Sequence, residues 1–450
     1  MFKTLHNAWK IPELRKKILF TLFILLLFRL GSVIPVPFIN GDALESYFNN
    51  NLSGTILGVF NAMSGSSFAT ATVFALGIQP YINSSIIIQL LTVALPPLER
   101  LAKEGGEEGK KKIARITRYT TVGLGLLLGW AYYMMMSNAG LINPESAEST
   151  LAMIVIVLTF AAGSAFLMWL GEQITEFGIG NGISIILFAG ILSRLPQMVR
   201  DMITGVQYHS LLQDAEVKAA LGEALPTYEA MALAPWMIPI ILIGGLAMIV
   251  FIVFINNAER KIPVQYAKRV VGRKMYGGQS THIPMKVSMS GVMPVIFAQS
   301  IASLPATIGA FMGWTVNNSA MMRVFDTSKP FYSIMYFFLI VGFSYFYSSM
   351  SFNPVEVANN LKKNGGFIPG FRPGKPTADF ITKVLNKITM FGALYLSVIA
   401  ILPIITGNIF GYQSLAIGGT SIIIVVGVAL ETVKQMEAQM LMRHYKGFLE

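Results

Sequence analysis

The chain has 450 residues, of which 54% are hydrophobic and only 13% charged, and its mean hydropathy is +0.59. A water-soluble domain carries roughly 25% charged residues, so lipid is the solvent for most of this chain. Its 34 basic residues outnumber 23 acidic ones, and it has no cysteine, which excludes disulfides, thiolate metal sites, iron–sulfur clusters and cysteine nucleophiles.

Residues 1–17 form a short basic N-terminal segment. Apolar stretches long enough to cross about 30 Å of hydrocarbon then recur at 18–36, 72–97, 117–138, 151–171, 179–199, 235–256, 289–312, 331–350, 386–409 and 417–436. The first lacks a convincing small-residue cleavage site and nine more follow it, so it reads as a membrane helix and not as a signal peptide. Three connections are long: 200–234, 257–288 and 351–385. The tail 437–450 reads as a helical continuation of the last span.

Charge orients these spans. With the N-terminus in the cytoplasm, 28 of the 34 basic residues fall on the cytoplasmic side, against 13 acidic ones. That asymmetry is what the positive-inside rule expects and accounts for most of the net +11. Both termini are then cytoplasmic. Topology alone does not explain why Arg260, Lys261, Lys268, Arg269, Arg273 and Lys274 crowd into one loop. Nor does it explain Lys362, Lys363, Arg372 and Lys375 around the turns GGFIPG and FRPG. Two readings stand for these loops: docking to an RNA or an acidic protein face, or extra anchoring on anionic lipid.

The region from Gly54 to Pro97 is too long for one span. Gly58, Gly65, Ser66, Ser67 and the stretch from Gly77 to Pro80 break it into a short apolar helix, a neck and a full helix. Irregular backbone at membrane depth is tolerated where it is buried in protein or lines a cavity. The short piece, about 55–75, therefore reads as a re-entrant element, with an interfacial helix as the alternative. The full helix carries Gln79, Asn83 and Gln89 beside Ile82 and Ile86, which stand four apart on one face. Small residues mixed with aliphatic ones also open the fifth, seventh and tenth spans and permit close helix approach.

Within the spans the sequence reading finds Arg29 as the one strong charge and no carboxylate, and His6, His209, His282 and His444 lie outside them. HExxH, paired carboxylates, metal-ligand clusters and GxxxxGK[ST] are missing. The chain reads as a conduit or scaffold that performs no chemistry and needs no cofactor or metal.

Six strings carry a family resemblance: FRLGSVIPVP around Arg29, GIQPYINSSIIIQLL from Gly77, ITEFGIGNGISIILFAGI from Ile174, YAKRVVGRKMYGGQSTHIPMKVSMSGVMPVIFA from Tyr266, NPVEVANNLKKNGGFIPGFRPG from Asn353 and GGTSIIIVV from Gly418. By these motifs, in order and at the matching spans, the chain resembles the SecY/Sec61-alpha family of protein-conducting channel subunits. The resemblance implies an all-α polytopic membrane protein of ten transmembrane helices. They form a clamshell of two pseudo-symmetric inverted halves, 18–199 and 235–436, with a re-entrant plug. It implies a pore ring of Ile82, Ile86, Ile183, Leu187, Ile296 and Ile424, with Met293 the near alternative to Ile296. Leu187 stands where many relatives have a β-branched residue. The plug would centre on Asn61, Ala62, Met63, Ser64, Gly65, Ser66 and Ser67, and a lateral gate would lie between spans two and seven.

The implied function is passive conduction of unfolded secretory polypeptides across the bacterial cytoplasmic membrane, with lateral release of hydrophobic segments into lipid. The implied partners are SecE and SecG subunits, the SecA motor ATPase, the ribosome, signal-bearing polypeptides, anionic lipid, and SecDF and YidC. Docking of the motor or ribosome falls to Arg260, Lys261, Lys268, Arg269, Arg273, Lys274 and Arg372. Arg29, near the outer end of the first span, reads as a structural residue that snorkels to the headgroups. The external segment 200–234 is longer than the pattern leads one to expect, and LLQDAEVKAALGEALPTYEAM within it reads as a short amphipathic helix. It is either a surface elaboration or a periplasmic contact. A secondary transporter and a non-conducting insertase or scaffold are the alternative functions.

Overall fold

In lipid every backbone N–H and C=O must be satisfied within its own segment, and in a computed structural model of the chain the apolar stretches are helices. The structure describes residues 2–51, 56–142, 150–214, 232–266, 269–271, 274–276, 280–289, 291–312, 323–325, 329–410 and 413–446. The helices are α1 (Phe2–Lys10), α2 (Pro12–Gly31), α3 (Gly41–Asn51), α4 (Ile56–Met63), α5 (Gln79–Ala94), α6 (Pro96–Lys103), α7 (Gly106–Asn138) and α8 (Thr150–Phe177). They continue as α9 (Gly182–Ser193), α10 (Leu195–Leu211), α11 (Met237–Asn257), α12 (Met293–Phe311), α13 (Pro330–Ser351), α14 (Pro354–Lys363), α15 (Lys375–Phe410) and α16 (Gln413–Lys446).

A helix stands over each predicted span. Among the described residues, five stretches are long and apolar enough to cross a membrane without qualification, and a sixth is the pair α5–α6, bent by 103°. The helices α2, α7, α12 and α16 also stand over predicted spans but are shorter in apolar length or carry charged and polar residues. Arg29 sits exposed in the last turn of α2, where a cation complements the helix end.

Of the span boundaries that differ from those expected, two change the course of the chain. The second span, read to residue 97, ends at Ala94: Leu95 is extended (φ −106°, ψ 115°) because it precedes Pro96, and the chain restarts as α6 in a new direction. The fifth runs on from α9 through Arg194 into α10 and ends at Leu211, twelve residues beyond the predicted end at 199. Arg194 lies inside the apolar stretch Gly182–Leu211 and inside the span 179–199, so Arg29 is not the one strong charge within the spans. Glu431 and Lys434 likewise lie within α16 in the part read as the tenth span, which contradicts the expectation of no carboxylate there. The proposed amphipathic helix beyond residue 214 lies outside the described residues.

The long loops are not featureless. Strands β1 (Glu259–Tyr266) and β4 (Ser280–Lys286) form an antiparallel hairpin, with β2 (Arg269–Val271) paired to β3 (Lys274–Tyr276) between them. The short strand β5 (Gly366–Phe367) from the second loop adds to β1, with Gln265 opposite Phe367 and Tyr266 opposite Gly366. Ile262, Val264, Met285, Leu361, Ile368, Ile381 and Leu385 form a small core beneath this sheet. The pairing of β5 with β1 thus joins the two basic loops into one body.

The helices fall into two packed sets. In the first, α2, α5, α7, α8 and α9 pack together; in the second, α11, α12, α13, α15 and α16 do. The sets meet where α5 and α7 touch α12 and where α9 touches α16. At one end α1 packs on α16: Thr4 donates to Glu437 (3.1 Å), Lys17 to Gln439 (3.3 Å), and Ala8, Leu14, Ile179 and Met436 are buried together. The N-terminus and the last helix therefore end on the same side.

Candidate functional site: an apolar constriction seated by a broken helix

The largest buried cluster lies where the two sets face each other. Ile82 and Ile86 of α5, Leu187 of α9, Ile296 of α12 and Ile424 of α16 are all members, each less than 5% exposed. Ile183 of α9 is half-buried and packs against the same cluster, as does Met293. Ile296 is the more buried of the α12 pair. All six residues expected from the motifs thus come together, from four helices and both sets.

Local chemistry aims these helices. Ser84 of α5 donates to the Thr117 carbonyl of α7 at 2.8 Å, fixing the rotation that turns Ile82 and Ile86 into the cluster. Asn181 caps α9, its side-chain oxygen accepting from the backbone of Ile183 (3.1 Å) and Ser184 (3.4 Å). At Gly182 a Cβ would overlap the Gly171 carbonyl of α8, so only glycine lets α9 start this close to its neighbour.

The re-entrant segment is a short helix, α4, followed by turns as far as Ile78. Asn61 organises it. Its side chain accepts from Ala69 N–H (2.9 Å) and its carbonyl accepts from Ser66 N–H (2.9 Å) and the Ser64 hydroxyl (3.2 Å). Ser64 in turn accepts from Phe68 N–H at 3.2 Å. Gly65 (φ 70°) makes the reversal, followed by Ser66 at φ 74°. Asn61, Ala62, Met63, Ser64, Gly65 and Ser67 are buried and Ser66 is half-buried. Met63 belongs to the main cluster, and its sulfur accepts from the Gln79 amide at 3.4 Å. The segment packs on α9, α12 and α16, and a small cavity lined in part by Met63, Gln79, Asn83, Leu187, Leu304 and Thr307 lies beside it.

Two supports were not foreseen in the sequence. Tyr132 of α7 is fully buried, stacks on Phe68 at 4.5 Å and donates its hydroxyl to the Phe68 carbonyl. Gly190 of α9 lies against the Met63 carbonyl. A tyrosine in a run of aromatics and a glycine among aliphatics carry no signal of such contacts.

On the sheet, Arg260 and Lys261 are exposed on β1, and Lys261 lies 3.3 Å from Glu259. Arg269 and Lys274 belong to β2 and β3, while Lys268 and Arg273 fall outside the described residues. Arg372 is exposed in the turn after β5, and its carbonyl, not its side chain, accepts from Thr377 at 2.7 Å. The pairing of β5 with β1 carries Arg372 on the same body as Arg260 and Lys261. Arg194 keeps a buried Nε with no hydrogen-bond partner in the protein. Among the described residues no group of three histidine, aspartate or glutamate side chains is arranged to hold a metal ion.

Apolar helices around a buried aliphatic cluster, with a short helix packed against it and a basic sheet built from two of the long loops, define a polytopic membrane protein of the channel class. The SecY family model matches residues 72–433. Among curated relatives, the protein translocase subunit SecY of Bacillus subtilis is 42% identical and that of Halalkalibacterium halodurans 44%, each over the full length of both chains. The fold resembles a solved protein-conducting channel (TM-score 0.61, 18% identity, 94% of this chain and 92% of that one). It also resembles a SecY studied for its plug domain (TM-score 0.60, 18% identity, the same shares). The chain belongs to the SecY family. It is a multi-pass protein of the bacterial cytoplasmic membrane and not an enzyme.

Proposed function

We propose that Ile82, Ile86, Ile183, Leu187, Ile296 and Ile424 form the pore ring of the central translocase subunit, and that Asn61–Ser67 are its plug. The observation that carries this is the convergence of these aliphatic side chains, from both helix sets, on one buried cluster that also holds Met63 of the re-entrant segment. A narrow apolar ring dewets and blocks ions, while flexible aliphatic side chains close around a passing chain. The plug is a second seal in the idle state. Unfolded secretory polypeptides cross through the ring. A hydrophobic segment gains about 25 cal/mol per Å² of apolar surface removed from water and leaves sideways into lipid between α5 and α12. Selectivity is partitioning, and the driving force comes from outside the chain.

The exposed cations Arg260, Lys261 and Arg372, together with Arg269 and Lys274 on the second hairpin and with Lys268 and Arg273, dock the SecA motor or the ribosome. SecE and SecG complete the complex, anionic lipid surrounds it, and SecDF and YidC associate with it. The absence of cysteine gives a clean background for the test. Single cysteines at Ile86, Leu187, Ile296 and Ile424 should cross-link to a precursor arrested in mid-transport, and a cysteine at the exposed Leu246 should not. Equal cross-linking at Leu246 and at the ring would refute the assignment.

A further inference from the structure

Glu431 is a carboxylate within the tenth span, on α16. It follows Ile424 by seven residues, so Ile424, Val428 and Glu431 stand in one row on one helix face, about 10 Å from first to last. Ile424 and Val428 are buried in the aliphatic cluster, whereas Glu431 is exposed. A carboxylate is costly against lipid, and this face is turned inward, so the exposed end of the row meets water on the cytoplasmic side of the cluster. Among the described residues Glu431 makes no hydrogen bond, and no cation lies within ion-pair distance of it. Lys434, one turn on, is engaged elsewhere: its ammonium donates to the Asn256 carbonyl at the end of α11 (3.0 Å). Lys286 of β4 is the cation whose field reaches Glu431. A Cβ on Gly291 would stand 4.0 Å from the Glu431 Oε2, and one on Gly427 would overlap Val292. Glu431 therefore sits at the cytoplasmic root of α12.

We propose that Glu431 is the site that receives the cationic end of an entering signal segment. The inference rests on the reading of this chain as a conduit for signal-bearing polypeptides. A secretory signal is a positively charged stretch followed by about 7–15 apolar residues. As a helix those apolar residues run about 10–22 Å, so a segment lying beside α12 leaves the residues before it at the root of that helix. A lysine, arginine or α-amino group arriving there meets a carboxylate with no ion pair to break first. A neutral end gains nothing from it, and an acidic end is repelled. The site reads the charge ahead of the apolar segment and not the apolarity of the segment itself.

The test uses the full chain with its partner subunits in vesicles, the SecA motor and ATP. Two precursors share one apolar signal segment; one carries three lysines ahead of it and the other three glutamates. Glu431→Gln removes the charge at nearly the same shape, and Glu431→Lys reverses it. Glu431→Gln should lower the lysine-to-glutamate transport ratio about three- to tenfold, the size of one charge contact near water. Glu431→Lys should lower it further, and added salt should shrink the difference between wild type and Glu431→Gln. Any preference of the motor itself is common to all three chains and cancels in the comparison. An unchanged ratio in Glu431→Gln, or an equal loss of transport for both precursors, overturns the site while leaving the conduit standing. Failure of the wild-type chain to transport the lysine precursor overturns the conduit reading and the site with it.

Discussion

Gly190 of α9 lies directly against the main-chain carbonyl of Met63, so closely that a Cβ on Gly190 would overlap the oxygen. The reverse contact is close but looser, since a Cβ on Gly65 would press on the Ser193 hydroxyl and stand 3.2 Å from the Gly190 carbonyl. The re-entrant segment therefore rests on α9 backbone to backbone, and its seat is shaped by an absent side chain.

Gly190→Ala should lift the segment from this seat, and Gly190→Val should do so further. The expected result is a several-fold rise in ion conductance of the idle complex in planar bilayers, with unchanged amounts of membrane-inserted protein. Conductance at the wild-type level in Gly190→Val would mean that the contact does not contribute to the seal.

Ile86 stands in the cluster one turn from Ile82 and is only 3% exposed. Ile86→Asn puts an amide where the wall is aliphatic, and burying it without partners costs about 1–3 kcal/mol unless water enters. Water entry is the expected response, read as a raised ion leak in the idle complex. Ile86→Leu should retain the wild-type seal.

Tyr132 contributes to stability more than to passage. Tyr132→Phe leaves the stack on Phe68 and removes one donor to a buried carbonyl, at a cost of about 1–3 kcal/mol. Tyr132→Ala empties the site between Phe68 and Phe160, which lies 5.1 Å away, and should cost about 3–5 kcal/mol. Thermal unfolding in detergent should order the three proteins as wild type, Tyr132→Phe, Tyr132→Ala.

Arg372 makes no side-chain hydrogen bond or ion pair of its own within 329–410, and its backbone is fixed through Thr377. Arg372→Glu should leave insertion and folding intact while lowering ATP-driven transport at least tenfold. The check is protease-protected precursor beside a measure of correctly inserted protein. Wild-type transport by this variant would remove Arg372 from the docking surface.

Hydropathy made the helices legible, because a segment in lipid must be apolar and must satisfy its own backbone. Proline and glycine made the break before Gln79 legible as well. The 103° turn after Leu95 was hidden because Pro96 and Pro97 are themselves apolar and blend into the stretch that they interrupt. The hairpin of β1 and β4 was hidden because only Ile262, Val264 and Met285 on it are buried, too short an alternation to stand out among charges. The aliphatic cluster followed from motif positions. A hydrogen bond from Tyr347 of α13 to Gln89 of α5 spans 258 residues, and no local pattern marks which tyrosine will meet which glutamine. Arg194 sits at the turn where α9 passes into α10, inside the stretch read as 179–199, so the expectation of Arg29 as the one strong charge within the spans fails there.

The central claim is that this chain conducts polypeptides. Its most direct measurement is transport into vesicles holding the chain with its small partner subunits, using purified SecA, ATP and a signal-bearing precursor. The account predicts ATP-dependent protection of the precursor from protease, lost when the signal segment is made polar. No protection, in vesicles where the complex is correctly oriented and binds SecA, would contradict it.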